Sequence, residues 1–154
     1  MKNPHSALIT DSSEVVETMH NDQFRTSVLI NEDIKVGVHK AVEGDHDFPN
    51  PEDLLCAALA SCFESSLRII SNKLSIKLIE TKIKATALID VRGTLMIHTS
   101  LPIRFQSIYV EALIKIKDST EQKSKILIKG VERNCIVYQA LKQGTPIILD
   151  FNFE

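Results

Sequence analysis

The chain has 154 residues, 44% apolar and 25% charged, and its 18 basic and 20 acidic side chains leave a formal net charge of −2. That length suffices for one domain with a sizeable core, and with no Trp and 5% aromatic residues the core has to be aliphatic. The balanced charge excludes the clustered positive footprint of a nucleic-acid binder, and no uninterrupted apolar run approaches the roughly 20 residues of a membrane span.

Residues 1–22 are polar and without clear periodicity, a flexible arm or a first edge strand. They include Asp11, Glu14 and Glu17 and lack an apolar stretch, so they do not read as a signal peptide, and a cytoplasmic location is expected. From Phe24 the pattern is β-like: Thr26 to Ile30 leads through Asn31, Glu32 and Asp33 into the alternating Ile34, Val36 and Val38, a hairpin. Glu43 to Pro49 reads as a loop. A helix then starts strongly, with Asn50 placed to cap, Pro51 at the first position and the acidic Glu52 and Asp53 in the first turn. Nothing breaks it before about Leu74. Its segment Leu54 to Phe63 is apolar nearly all round, which predicts burial on most faces.

A run of β segments follows. Ile83, Ala85, Ala87 and Ile89 alternate with polar residues, Asp90 to Gly93 reads as a turn, and Leu95 and Ile97 continue on a return strand. Ile108 to Ile116 alternates over a long strand with one buried face. Ser119 to Gln122 resembles a capping box, and the helix behind it carries Leu127, Val131 and Cys135 in one stripe. Asn134 is placed to cap a further helix from Cys135 to Gln143, stopped by Gly144 and Pro146, and Thr145 to Phe153 closes the chain as a strand. Strands in groups with segregated helices mean an α+β fold in a single domain, 1–154.

Three cysteines and no C-x-x-C pair do not make a disulfide framework, and His5, His20, His39, His46 and His98 form no short ligand spacing. No metal is expected, and the thiols read as free. Cys62, three turns into the first helix in apolar company, is by itself an ordinary core residue. Cys135 reads as a first-turn residue after Arg133 and Asn134, where helix dipole and cation would lower a thiol pKa. Cys56 lies about 120° around the helix from Cys62 and reads as packing. Lys115, Lys117, Lys123 and Lys125 read as a solvated face.

The residues Asn50-Pro51-Glu52-Asp53-Leu54-Leu55-Cys56-Ala57-Ala58-Leu59-Ala60-Ser61-Cys62-Phe63 resemble the signature of the OsmC/Ohr family: a Pro-Glu helix start, a small-residue run and a cysteine ten positions after the glutamate. Arg92-Gly93 and Glu132 to Val137 with Leu141 extend the resemblance, which runs from about residue 24 to the C-terminus. It implies antiparallel β-sheets packed around a long buried central helix, in an intertwined homodimer with sites at the subunit interface. It also implies a thiol peroxidase without a bound cofactor. Cys62 would attack an organic hydroperoxide and become a sulfenic acid, Cys135 would resolve it as a disulfide, and an external, lipoyl-type dithiol would reduce that disulfide. Glu52 would take part from the partner subunit, because ten helical residues place it about 15 Å from Cys62 of its own chain. Family peroxidases carry an arginine in the loop before the helix, and Val36 to Pro49 has none; Arg25, Lys40 and His39 are the candidate thiolate stabilisers instead. Ile136 stands where many relatives have proline. Two other functions follow from the same residues: a non-catalytic dimer of this fold that binds an apolar small molecule, and a redox sensor signalling through a Cys62–Cys135 disulfide.

Overall fold

The computed structural model describes residues 17–22, 25–29, 33–37 and 48–154. The chain divides into two compact units, residues 1–51 and 52–154. In the first, β1 (Glu17–Asp22), β2 (Arg25–Leu29) and β3 (Asp33–Gly37) form an antiparallel sheet in that order. The expected hairpin is β2–β3, with Thr26 opposite Val36 and Val28 opposite Ile34. Beyond β3, the Gly37 N–H donates to Pro49 O at 2.9 Å, and the Lys35 ammonium stands 5.9 Å from the Phe48 ring centroid.

From Glu52 on, the second unit holds α1 (Pro51–Lys73), a helix of 23 residues that starts and stops where its sequence signals lie. The other elements are β4 (Leu78–Ile89), the short α2 (Val91–Thr94), β5 (Phe105–Ile116), α3 (Glu121–Asn134), α4 (Ile136–Leu141) and β6 (Ile147–Phe153). The second sheet has the order β4-β5-β6; β4 and β5 are antiparallel, whereas β5 and β6 are parallel. The expectation of antiparallel sheets is therefore corrected to one antiparallel and one mixed sheet. The cause is the α3–α4 crossover, which returns the chain to the end of the sheet where β5 began.

Ile108, Val110, Ala112, Ile114 and Ile116 bury one face of β5 in a core shared with Leu59, Phe63, Leu67 and Ile70 of α1 and with Leu127, Val131 and Cys135. Helix α1 has the length and composition of a membrane span, but its apolar residues Leu59, Phe63 and Leu67 are fully buried in this core. Burial on most faces does not hold for Leu54 to Phe63: Ala57, Ala58 and Ser61 are exposed, and Ser65 extends that side. The helix therefore has one core face and one face of small residues. No return strand forms at Leu95 and Ile97. Asp90 instead caps α2 by accepting from Arg92 N, Leu95 ends that helical turn, and Met96 follows at φ 58°; the return strand is β5.

At the start of α3 the cap is Thr120, whose hydroxyl accepts from Lys123 N, rather than the Ser119 and Gln122 pair. Lys115, Lys117 and Lys125 are exposed, as a solvated basic face requires.

Candidate active site

Helix α1 brings Cys62 to the edge of its buried stripe, between Leu59 and Ser66 at one-turn spacings, so that its side chain is half-buried against the core. Cys135 reaches the same place from the other side. The stripe Leu127, Val131, Cys135 is fully buried, as its spacing implies, and points the last member at α1. Both side chains join one core cluster, and the Cys62 thiol is near enough to act on the titration of Cys135. Sequence alone left open whether these cysteines meet; the fold brings them together.

Cys135 is not a first-turn residue of α4 but the junction between two helices. Its backbone, at φ −74° and ψ 105°, ends α3 and precedes α4, and its sulfur accepts the Tyr138 N–H at 3.4 Å. Asn134, expected to cap, instead donates through its side-chain amide to Gly130 O at 2.7 Å. The expected lowering of the Cys135 pKa is reversed as well. Burial, and then the neighbouring Cys62 thiol, push the Cys135 thiol up from 9.0 to about 12, against the opposing Tyr138 and Val137 N–H groups. A neutral thiol in a dry site is favoured because its anion would lose water.

Tyr138 and Phe63 went unnoticed in the sequence. Their rings pack 5.6 Å apart at 55°, and Phe63 also meets Phe151 at 6.0 Å and 65°. Phe63 follows Cys62 and Tyr138 caps back to Cys135, so this cluster ties the two cysteine-bearing segments and β6 together. The readable signal was the three-residue interval from 135 to 138, the interval between a capping side chain and the amide it accepts from.

Glu52 sits in the first turn of α1, half-buried, and its Oε2 is buried without a hydrogen-bond partner among the described residues. Along its own helix it is about 15 Å from Cys62, so the two do not meet within one chain. Cys56 is half-buried and burial raises its pKa, in keeping with packing. Arg25 lies in β2, but its side chain is outside the described residues, as are His39 and Lys40. No group of three or more His, Cys, Asp or Glu suited to a metal occurs among the described residues.

The family model of OsmC-like proteins matches residues 44–150. No curated protein matches the sequence. Among solved structures, an OsmC-like protein from Mycoplasma pneumoniae superposes with a TM-score of 0.72 at 14% identity, covering 90% of this chain and 93% of its own. An organic hydroperoxide resistance protein from Elizabethkingia anophelis gives 0.68 at 21% identity, over 94% and 99%. The organic hydroperoxide resistance protein OhrB of Bacillus subtilis gives 0.61 at 17%, over 88% and 94%. At these identities the likeness is one of fold, and the family model spans more than half of the residues. The chain belongs to the OsmC-like family.

Proposed function

We propose that this protein is a thiol-dependent peroxidase that reduces organic hydroperoxides in the cytoplasm, with Cys62 as attacking and Cys135 as resolving cysteine. The observation that carries the reading is the convergence of the two cysteines on one core cluster, one half-buried and one fully buried. The Cys62 thiolate attacks the distal peroxide oxygen, the O–O bond breaks, the alcohol leaves with a proton, and Cys62 is oxidised to a sulfenic acid. Cys135 then attacks that sulfur, water departs, and a disulfide forms. An external dithiol of the lipoyl type returns both residues to thiols, and no bound cofactor is needed.

The same proposal makes the active form a homodimer. It is supported by the exposed small-residue face of α1 at Ala57, Ala58, Ser61 and Ser65, and by Glu52 Oε2, which is buried without a partner among the described residues, since buried polar atoms ordinarily have a partner. Glu52 of a second copy would then reach the cysteine pair that its own helix holds it away from. Arg25, Lys40 and His39 are the proposed sources of the positive charge that favours a Cys62 thiolate.

Consumption of cumene hydroperoxide with dihydrolipoamide tests the reading. The expected result is turnover by the wild type, none by Cys62→Ser, and a reduced rate when Glu52 or the responsible cation is changed to Gln. Turnover retained in Cys62→Ser defeats the peroxidase, and absence of turnover in the wild type moves the assignment to an apolar-ligand binder or a redox sensor of the same fold.

A further inference from the structure

We infer that the Cys62–Cys135 disulfide is reduced in one direction: the incoming thiolate attacks the Cys62 sulfur, and Cys135 departs as the leaving thiolate against the Tyr138 N–H. This rests on the proposed disulfide chemistry and adds which sulfur receives the reductant.

Two observations carry the inference. The first is access. Cys135 has 0% exposure and sits among Leu127 and Val131, also at 0%, whereas Cys62 is half-buried at the edge of the α1 stripe. Thiol–disulfide exchange needs the three sulfurs nearly in line, and its rate depends on which sulfur can be reached. An in-line approach to Cys135 has to open the core, while an approach to Cys62 does not. The second is the hydrogen bond that the Tyr138 N–H already donates to the Cys135 sulfur at 3.4 Å. Burial works against an anion at Cys135, and this amide is the group in place to offset it. Access decides the direction; the amide sets how fast Cys135 can leave.

The electron count closes. The reductant thiolate supplies the pair for a new S–S bond to Cys62, and the pair of the old bond stays on Cys135, which takes up a proton. The second thiol of the dithiol then attacks its own half of the mixed disulfide and releases Cys62. Two external thiols are oxidised to one disulfide, and one protein disulfide is reduced to two thiols.

The test begins from the full chain carrying Cys56→Ala, which removes the third thiol, with the disulfide made by diamide instead of peroxide. Brief treatment with cysteamine, quenching with N-ethylmaleimide and peptide mapping should find cysteamine on Cys62 and maleimide on Cys135, in at least about tenfold excess over the reverse. The reverse pattern, comparable labelling of both, or failure of diamide to link Cys62 with Cys135 overturns the inference. A second comparison isolates the amide. Tyr138→Pro deletes the N–H at a first-turn position that tolerates proline, while Tyr138→Ala deletes the ring and keeps the N–H. Disulfide cleavage should slow about tenfold in Tyr138→Pro relative to Tyr138→Ala, as loss of one hydrogen bond to a charged group implies; equal rates remove the role of the amide. Because diamide forms the disulfide, failure of the peroxidase reading would appear only in hydroperoxide consumption and leaves this result distinct.

Discussion

Phe63 is where the fold and the cysteine pair depend on the same side chain, and its replacement can be worked through in numbers. The ring is fully buried and packs against both Tyr138 and Phe151. Truncation to Ala removes apolar area and leaves a cavity, a change that costs about 3–5 kcal/mol in a well-packed core. Phe63→Leu keeps most of the apolar bulk and loses mainly the two ring pairs, each worth about 0.5–1.5 kcal/mol beyond area, so it should cost about 1–3 kcal/mol. The two variants should therefore differ by about 2 kcal/mol, read from urea unfolding followed by far-UV circular dichroism with the thiols reduced. A double-mutant cycle of Phe63→Leu with Tyr138→Leu should return a coupling of about 0.5–1.5 kcal/mol, because the rings touch. Phe63→Leu as stable as the wild type, or a coupling indistinguishable from zero, would refute the claim that this cluster ties α1 to α4.

Three further outcomes follow from particular contacts. A Cβ on Gly93 would lie 2.9 Å from the backbone oxygen of Leu101 and 3.2 Å from Ile103 Cγ1; since a backbone oxygen gives way poorly, Gly93→Ala should destabilise by about 1–3 kcal/mol, and an unchanged melting temperature would contradict it. The fork from Arg92 Nε and Nη2 onto Asp90, at 2.9 and 2.6 Å, holds that carboxyl at about 2 instead of 3.8. Its contribution is present above the unfolded value and lost as pH falls from about 4 through about 2; carboxyl-carbon NMR should find the low midpoint, and Arg92→Gln should raise it. Cys135 titrates the opposite way: from pH 9.0 up to about 12 the unfolded chain releases the proton that the folded chain retains, so stability falls with rising pH over that window. Urea titrations should show the decline, and Cys135→Ala should make it shallower.

How much of this was legible in the sequence depended on whether the signal was local. Asn50-Pro51-Glu52 announced the start of α1, and the strict alternation from Ile108 to Ile116 announced β5, because both patterns are set by the element's own geometry. The stripe Leu127, Val131, Cys135 likewise named its buried members. The segment after Ile89 misled for a physical reason. Leu95 and Ile97 alternate like a strand, but the chain closes a helical turn there, with both Ile97 N–H and His98 N–H donating to Arg92 O. Ile97 is left 70% exposed, and two apolar residues are too few to distinguish the cases. The direction of β6 was not legible because alternation reads the same in parallel and antiparallel pairing. The apolar Leu54 to Phe63 segment gave its composition but not its partner, and alanine is compatible with either the exposed or the buried side of α1.

The meeting of Cys62 and Cys135 rests on a feature no periodicity encodes, the break at residue 135. Its N–H still donates to Val131 O at 2.9 Å, so it keeps its place in the α3 stripe and faces α1. Its ψ of 105° has left the helical region, and its own carbonyl already accepts from Gln139 N at 3.0 Å as the first bond of α4. A continuous helix would satisfy the 138 amide with the carbonyl of Asn134 and leave the sulfur free to rotate. With the break, that amide has the Cys135 sulfur as its acceptor, and the sulfur is fixed both by its backbone and by its side chain. A resolving step gains from such fixing, because a nucleophile held next to its target reacts as though at very high concentration. The helix break is thus the element that converts a buried core cysteine into a positioned one, and every donor it uses is a backbone N–H.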